Sequence, residues 1–256
     1  MDLGLNDKTA LVTGSWRGTG QIIAAHLARE GARVLVHGLE PGQAEQAVAD
    51  LGVGTPVTGD IRTDVGAQAV SSACGSVDIL VNNYGAASPG KWQGSSEELW
   101  LAAYQTNVLS AQRMITQLMP AMAERGWGRI INLGTVGSTS PAARMPHYYA
   151  SKGALATLTV SLAKEAARTG ITVNLVSPGL ILTPEVREAY LERGRRNGWG
   201  ETWEEVEAHV AADIPIGRIA RREEVADLVV FLASELSGAI HGQNLQIDGG
   251  ALGIVT

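Results

Sequence analysis

The stretch KTALVTGSWRGTGQIIAAHLAREG, residues 8–31, opens on a short apolar run, passes through three glycines and closes with apolar residues at helical spacing. Its first part reads as a buried strand ending at Gly14, its last as an amphipathic helix. Between them Gly14, Gly18 and Gly20 form a G-x-x-x-G-x-G turn. Glycine permits such a turn and lets a ligand approach the backbone closely, while the helix behind offers free N–H groups and partial positive charge to a phosphate. Three glycines alone are common in tight turns. At the first strand-to-helix junction of an alternating chain, they point to a nucleotide.

The chain does alternate. ARVLVHG (32–38), TPVTGD (55–60), VDILVNN (77–83), GRIINLG (128–134) and ITVNLVSPG (171–179) read as strands. Helical patterns lie between them: PGQAEQAVADLG (41–52), DVGAQAVSSA (64–73), one long stretch over 96–126 and another from about 148 to 168. Uniformly apolar strands separated by helices belong to a parallel sheet covered on both faces, an α/β architecture. No repeat, low-complexity tract or linker interrupts the pattern, so residues 1–256 read as one domain that binds a dinucleotide and carries the catalytic groups. The segment at about 184–213 differs, being rich in charge and carrying Trp199 and Trp203 around RGRRNGWGETW (193–203). It reads either as a solvated surface excursion or as a substrate lid beyond the carboxyl ends of the strands.

Composition limits the partners. A formal charge of −6 with no basic block argues against nucleic acid or an anionic membrane. The single cysteine, Cys74, excludes an intrachain disulfide, fits a reducing compartment and reads best as a small buried apolar residue. The start MDLGLNDKTA has no signal-peptide pattern, and apolar runs such as LVVFLA (228–233) are too short to span a bilayer. A cytoplasmic protein is expected. The five histidines show no metal-ligand spacing, and no Ser–His–acid grouping stands out, so no metal is expected.

At the end of the second strand, Gly38 and Leu39 leave neutral the position where an acid would hold an adenosine ribose, and Arg17 in the glycine turn brings positive charge. Charge complementarity therefore favours NADP(H), with NAD(H) still open because Glu40 could take the acidic role. The turn residues Gly14, Ser15, Arg17, Gly18, Thr19 and Gly20, with Gly38, are the candidate cofactor contacts here.

In HYYASKGA (147–154), Tyr148 precedes Lys152 by four residues, so a helix would stack them on one face, whereas Tyr149 points about 100° away from Tyr148. A free phenol titrates near ~10 and is a poor acid at neutral pH. An ammonium about 4 Å away contributes roughly 4 kcal/mol at an effective dielectric near 20, which could bring the phenol near ~7. For an isolated Y-x-x-x-K the plain reading is a tyrosine above a surface lysine. This one is not isolated.

Together, TGSWRGTG, NNYG (82–85), Asn107, YYASK and SPG (177–179) resemble the classical short-chain dehydrogenase/reductase family, in particular its 3-oxoacyl-[acyl-carrier-protein] reductase-like members. The tail PIGRIARREEVADLVVFLAS and HGQNLQIDGG resembles the family's closing helix and strand, so the likeness covers nearly the whole chain. It implies a Rossmann-type doubly wound parallel sheet of about seven strands, usually in a homotetramer or homodimer. It also implies hydride transfer between a nicotinamide and a secondary alcohol or ketone. By the same resemblance Tyr148 would move the hydroxyl proton and Lys152 would hold the nicotinamide ribose and lower the tyrosine's pKa. Asn107 would kink the long helix and hold a water. Asp60, beside Ile61, would bond the adenine amino group; Asn82 would approach the adenosine ribose; Thr183, beyond Pro178 and Gly179, would grip the carboxamide.

Two positions depart from the family. Thirteen residues before Tyr148, where a serine usually stands, is Thr135. Its hydroxyl keeps donor and acceptor, and Ser138 is the fallback. Tyr84 replaces the usual alanine of N-N-A-G and was given to the substrate side, packing under the lid or narrowing the entrance. His147 would edge the site, though a plain loop role suits it better. Trp199 and Trp203 in the lid hint at an apolar substrate, a bulky ketone or a 3-oxoacyl thioester. The expected activity is thus an NADP(H)-preferring carbonyl reductase. The competing reading is a cofactor-binding protein with little turnover, kept alive by Thr135 and Tyr84.

Overall fold

Each buried strand leads into a helix that returns over the sheet, and the order of elements follows from that repeat. In the computed structural model, which describes residues 2–253, the chain runs β1 (Thr9–Val12), α1 (Gly18–Arg29), β2 (Arg33–Gly38), α2 (Gln43–Leu51), β3 (Thr55–Thr58), α3 (Asp64–Cys74) and β4 (Ile79–Asn82). It continues through α4 (Glu97–Tyr104), α5 (Ser110–Arg125), β5 (Gly128–Leu133), α6 (Pro146–Glu165) and β6 (Ile171–Pro178). The last part holds β7 (Ile181–Leu182), α7 (Pro184–Asn197), α8 (Trp203–Val210), β8 (Ala220–Arg221), α9 (Arg222–Ala233) and β9 (Asn244–Ile247).

Seven strands form one sheet in the order β3-β2-β1-β4-β5-β6-β9, every neighbouring pair parallel. The expected Rossmann-type sheet is present. Side chains alternate across it as the pleat requires. Ala10 and Val12 of β1 meet Ile23 and Leu27 of α1 and Val229 of α9, while Leu11 between them meets the layer of Val70, Met114 and Met122 from α3 and α5. All residues of β5 and β6 are buried, the polar Arg129, Asn132, Thr172, Asn174 and Ser177 among them, as expected for strands covered on both faces. Strand order reverses between β1 and β4, so their carboxyl ends leave a crevice where such sheets bind ligands.

The helix expected over 96–126 is not continuous. A π-helical turn at Gln105–Leu109 separates α4 from α5, the kind of interruption often found at functional sites. The Tyr148 helix begins at Pro146, whose missing N–H suits the first turn, and ends at Glu165. The segment over 184–213 folds as two helices, α7 and α8, broken where Gly198 takes φ +68°. A two-stranded ribbon, β7 against β8, lies at the base of this excursion. Among the described residues, no helix is long and apolar enough to cross a membrane.

Candidate active site

The glycine turn lies at the crevice because β1 ends there and α1 starts there. Gly14 and Gly18 both have φ +63°, which an L side chain rarely adopts. A Cβ on Gly20 would lie 2.3 Å from Asn83 Nδ2 and 2.9 Å from the Gly14 carbonyl oxygen. No side chain caps α1, so its first N–H groups face the crevice unclaimed. The crevice is a cleft of about 560 Å³ whose walls include Arg17, Gly18, Leu39, Arg62 and Tyr84. Thr19, Asn83, Gly85 and Ala86 continue it into a slot of about 150 Å³ lined by Tyr148, Lys152 and Pro178. A cradle that tolerates no Cβ at its turn, with free helix N–H groups and a basic residue at its mouth, fits a dinucleotide.

Two of the expected turn contacts belong to the scaffold. The Ser15 hydroxyl is fully buried, donating to Val12 O (2.7 Å) and accepting from His37 N (2.9 Å). It is therefore spent inside the protein. Gly38 is packed against Gln43 and Ala44 of α2, and Leu39 and Glu40 beyond it reach the cleft. A residue missed in the sequence, His37, ties the turn together. Its Nδ1 accepts from Gly14 N (2.9 Å) and its Nε2 bonds Gly59 O (2.9 Å), which assigns the neutral Nε2–H form. Burial lowers its pKa to about 4. Nothing in VLVHGLE distinguishes this bridge from an ordinary strand histidine.

At the adenosine end one expectation, Asn82, needs correction. The Asp60 carboxylate is forked by Arg62, Nε to Oδ1 at 2.8 Å and Nη2 to Oδ2 at 2.9 Å, and Arg62 rather than Asp60 lines the cleft. That bond holds the Asp60 carboxyl below its ordinary range. The Ile61 side chain is core, leaving only its backbone to a ligand. Asn82 points away: its Nδ2 donates to Asn132 Oδ1 (2.9 Å), and Asn132 donates in turn to Thr159 (2.9 Å), a buried polar ladder between sheet and α6. The neighbour Asn83 faces the cleft instead, with Nδ2 on Thr13 O (2.9 Å). Tyr84 is also on the cofactor side, not the substrate side. It packs against Gly14, its hydroxyl bonds Thr106, and burial raises its pKa.

In the slot, Lys152 is 4% exposed and its Nζ donates to Leu133 O (2.7 Å). A Cβ on Gly85 would stand 3.1 Å from that Nζ and 2.8 Å from Asn107 Oδ1, so glycine here keeps the slot open. Asn107, in the π turn, accepts from Ala86 N (3.0 Å) and donates to Ala86 O (3.1 Å), pinning the backbone after NNYG. Its amide holds this loop. Thr135 caps the short turn after β5 and its side chain bonds the Tyr148 hydroxyl. Ser138 donates to Thr135 O (2.8 Å) and lines a separate hollow of about 500 Å³ with Trp92 and Tyr149. So Tyr148 shares the slot with Lys152, and Tyr149 does not.

The expected lowering of the Tyr148 pKa is reversed. Burial pushes the phenol up to about 12, Tyr149 adds to the rise, and only the Thr135 bond opposes it. Burial also brings Lys152 down to about 8. Desolvation opposes the Coulomb argument from spacing, and it dominates for both groups.

The remaining candidates lie outside the slot. Thr183 caps α7 by accepting from Val186 N (3.2 Å) and stands at the rim of a different hollow, between α7 and α9. Gly179 is pressed against Asp248, leaving Pro178 as the slot's wall. His147 is fully buried under Gly90, with Ser88 Oγ 3.1 Å from its Nε2, and does not edge the site. Trp203 is buried with Val206 and Ile219, and Trp199 stacks on His209 beside them. Trp203 is spent in a small core, the half-buried Trp199 packs beside it, and neither ring lines the slot.

The chain is similar to known proteins over nearly its whole length. A family model described as "Enoyl-(Acyl carrier protein) reductase" matches residues 14–251. The chain is 35% identical over 260 residues to "Uncharacterized oxidoreductase YvaG" of Bacillus subtilis (strain 168), covering 98% of each. It is 34% identical over 254 residues to 3-oxoacyl-[acyl-carrier-protein] reductase FabG of Escherichia coli (strain K12), covering 97% of this chain and 98% of that one. Among solved structures, L-sorbose reductase from Gluconobacter frateurii, complexed with NADPH and L-sorbose, superposes with a TM-score of 0.92 at 34% identity and full coverage of both chains.

Proposed function

The chain belongs to the short-chain dehydrogenase/reductase family, and from that membership we propose that it reduces a ketone with NADPH, Tyr148 donating the proton. It is an NAD(P)-dependent oxidoreductase acting between a carbonyl and the matching secondary alcohol. The observation that carries the proposal is the slot at the inner end of the glycine-walled cleft, where Tyr148 and Lys152 share one lining and Thr135 bonds the phenol.

Bound there, the nicotinamide would supply the hydride. The protein's own groups supply the proton and the orientation. With its pKa near about 12, Tyr148 stays protonated through the neutral range, as a donor in the reducing direction must. The oxyanion left on a reduced carbonyl carbon is more basic than a phenolate, so the transfer runs downhill. The Thr135 hydroxyl, beside the phenol, can hydrogen-bond the carbonyl oxygen. Lys152, protonated below about pH 8, lies close enough to the slot to stabilise the phenolate that donation leaves. Asn107 keeps the Ala86 wall in place. Arg17 at the cleft mouth favours the 2′-phosphate of NADPH, and the sorbose reductase solved with NADPH supports that choice.

Residues 1–256 act as one domain in this reading, and the 184–213 excursion is a lid whose helices shape the entrance while its tryptophans hold it together. The assembly is a homo-oligomer, a tetramer by family likeness, and exposed Val160 and Phe231 give it apolar contact surface. A reducing cytoplasm suits the buried, unpaired Cys74.

The test is NADPH consumption with a panel of 3-oxoacyl thioesters, ketohexoses such as L-sorbose, and bulky apolar ketones, the first two chosen from the substrates that the similar reductases are named for. Turnover of at least one member is expected, lowered by about 10²–10⁴-fold in Tyr148→Phe with NADPH affinity retained. Tight NADPH binding without turnover of any member would return the protein to a binding role.

A further inference from the structure

The residue beside the proton donor faces another way. His147 precedes Tyr148 on α6, so its side chain leaves the helix about 100° around the axis. It meets the back of the loop that follows β4. There it is fully buried and shares one hydrogen bond, Nε2 to Ser88 Oγ at 3.1 Å, while its Nδ1 has no partner. The loop fits the ring closely: a Cβ on Gly90 would stand 2.4 Å from His147 Cε1. Trp100 of α4 meets the same ring edge-on, with centroids 6.1 Å apart. Two residues earlier, Met145 takes φ +56°, a conformation that side chains resist, and its N–H donates to Gly90 O at 2.9 Å.

The front of the same loop is the slot, which Ala86 and Ala87 line together with Tyr148 and Lys152. Ala87 is thus tied on both flanks. Asn107 grips the Ala86 backbone, while His147 and Met145 hold Ser88 and Gly90. We propose that His147 is a positioning residue for the reduction, setting from behind how closely the Ala87 wall presses the reactants towards Tyr148. The proposal rests on the reading of the slot given above and adds to it a residue that touches neither reactant. Packing alone would not need an imidazole, since an apolar side chain of similar volume would leave no buried nitrogen unpaired. What such a side chain lacks is the bond to Ser88. Among the described residues it is the only side-chain hydrogen bond between α6 and residues 85–95.

The test measures kcat on a carbonyl that the parent protein reduces, with NADPH and with NADPH deuterated at the transferable position, beside NADPH binding by calorimetry. Ser88→Ala and His147→Leu should each lower kcat by about tenfold, less than the roughly hundredfold of a 1 Å misplacement, with NADPH affinity kept within about twofold. The double variant should lose no more than either single one, because both remove the same bond. His147→Gln, whose amide can reach Ser88, should restore kcat to within about threefold of the parent. Because the defect lies in hydride transfer, the isotope effect on kcat should equal or exceed that of the parent. Ser88→Ala removes only a half-buried hydroxyl, so it reads the bond even where His147→Leu fails to fold. Parent kcat in Ser88→Ala, or a loss accompanied by a smaller isotope effect, would overturn the inference alone. A parent protein that binds NADPH and reduces no carbonyl would overturn it together with the reading of the slot.

Discussion

The cleft above β1, β2 and β4 and the excursion over 184–213 are built on opposite plans. At the glycine turn of the cleft no side chain can intrude, and the polar side chains beneath and behind the walls hold loops in place: Ser15 under the turn, His37 between two loops, Asn107 behind Ala86. In the excursion the large side chains turn inward. Trp203, Val206 and Ile219 form a miniature core, Gly194 lets α7 approach Val206, and Arg193 lies 5.1 Å over the Trp199 ring. One region is shaped by what must stay absent, the other by what must be filled. A conspicuous residue therefore means different things in the two places.

If buried polar groups hold the cleft, acid should loosen it through His37. Its pKa in the folded state, about 4, lies below the ordinary 6.5, so the fold binds fewer protons than the unfolded chain between those values. That contribution is complete above pH 6.5 and disappears as pH falls towards 4, amounting to roughly 3 kcal/mol. Denaturant titrations of the native protein and of His37→Gln across this window should differ in slope. Equal slopes would remove His37 from the scaffold.

A smaller effect sharpens the claim about absent side chains. Gly20→Val forces atoms into the space of Asn83 and the Gly14 carbonyl. Overpacking of this kind costs about 1–3 kcal/mol, which should weaken NADP⁺ binding by roughly tenfold to a hundredfold. Calorimetry reads it directly, and unchanged affinity would mean the cofactor does not use this turn. The smallest effect is expected in the 184–213 excursion. Trp199→Ala removes a half-buried ring that touches His209 and Arg193 but no slot residue. Its kcat/KM should change by less than about threefold, the range of an ordinary surface change. A larger loss, confined to KM, would put that ring against the substrate.

What could be read in advance divides along the same line. The parallel sheet was legible because Leu11, Leu35 and Leu80 alternate with neighbours that also need burial. Gly14, Gly18 and Gly20 were legible because a left-handed φ or a close approach admits little else, and the four-residue Tyr148–Lys152 spacing is a property of any helix. Direction was harder. Whether Asn82 or Asn83 faces the cleft depends on where β4 stops, and Tyr84 could have turned either way until Thr106 and Gly14 were in place. The Asp60–Arg62 fork needs a backbone bend that spacing does not state. The sign of the Tyr148 shift was missed because a charge one helical turn away can be read from sequence, whereas the extent of burial cannot. The packing of Trp199 and Trp203 was not legible because an aromatic residue in a charged segment looks the same whether it meets a ligand or a neighbouring helix.

The central claim is that a carbonyl compound receives its hydrogen in the Tyr148 slot from a nicotinamide held in the adjoining cleft. NADPH carrying deuterium at the transferable position, incubated with the carbonyl panel, tests it in one measurement by mass spectrometry of the products. The account predicts one deuterium on the carbinol carbon of at least one product, and its loss in Tyr148→Phe. Deuterium that stays on the cofactor while every carbonyl returns unlabelled and unreduced would contradict it.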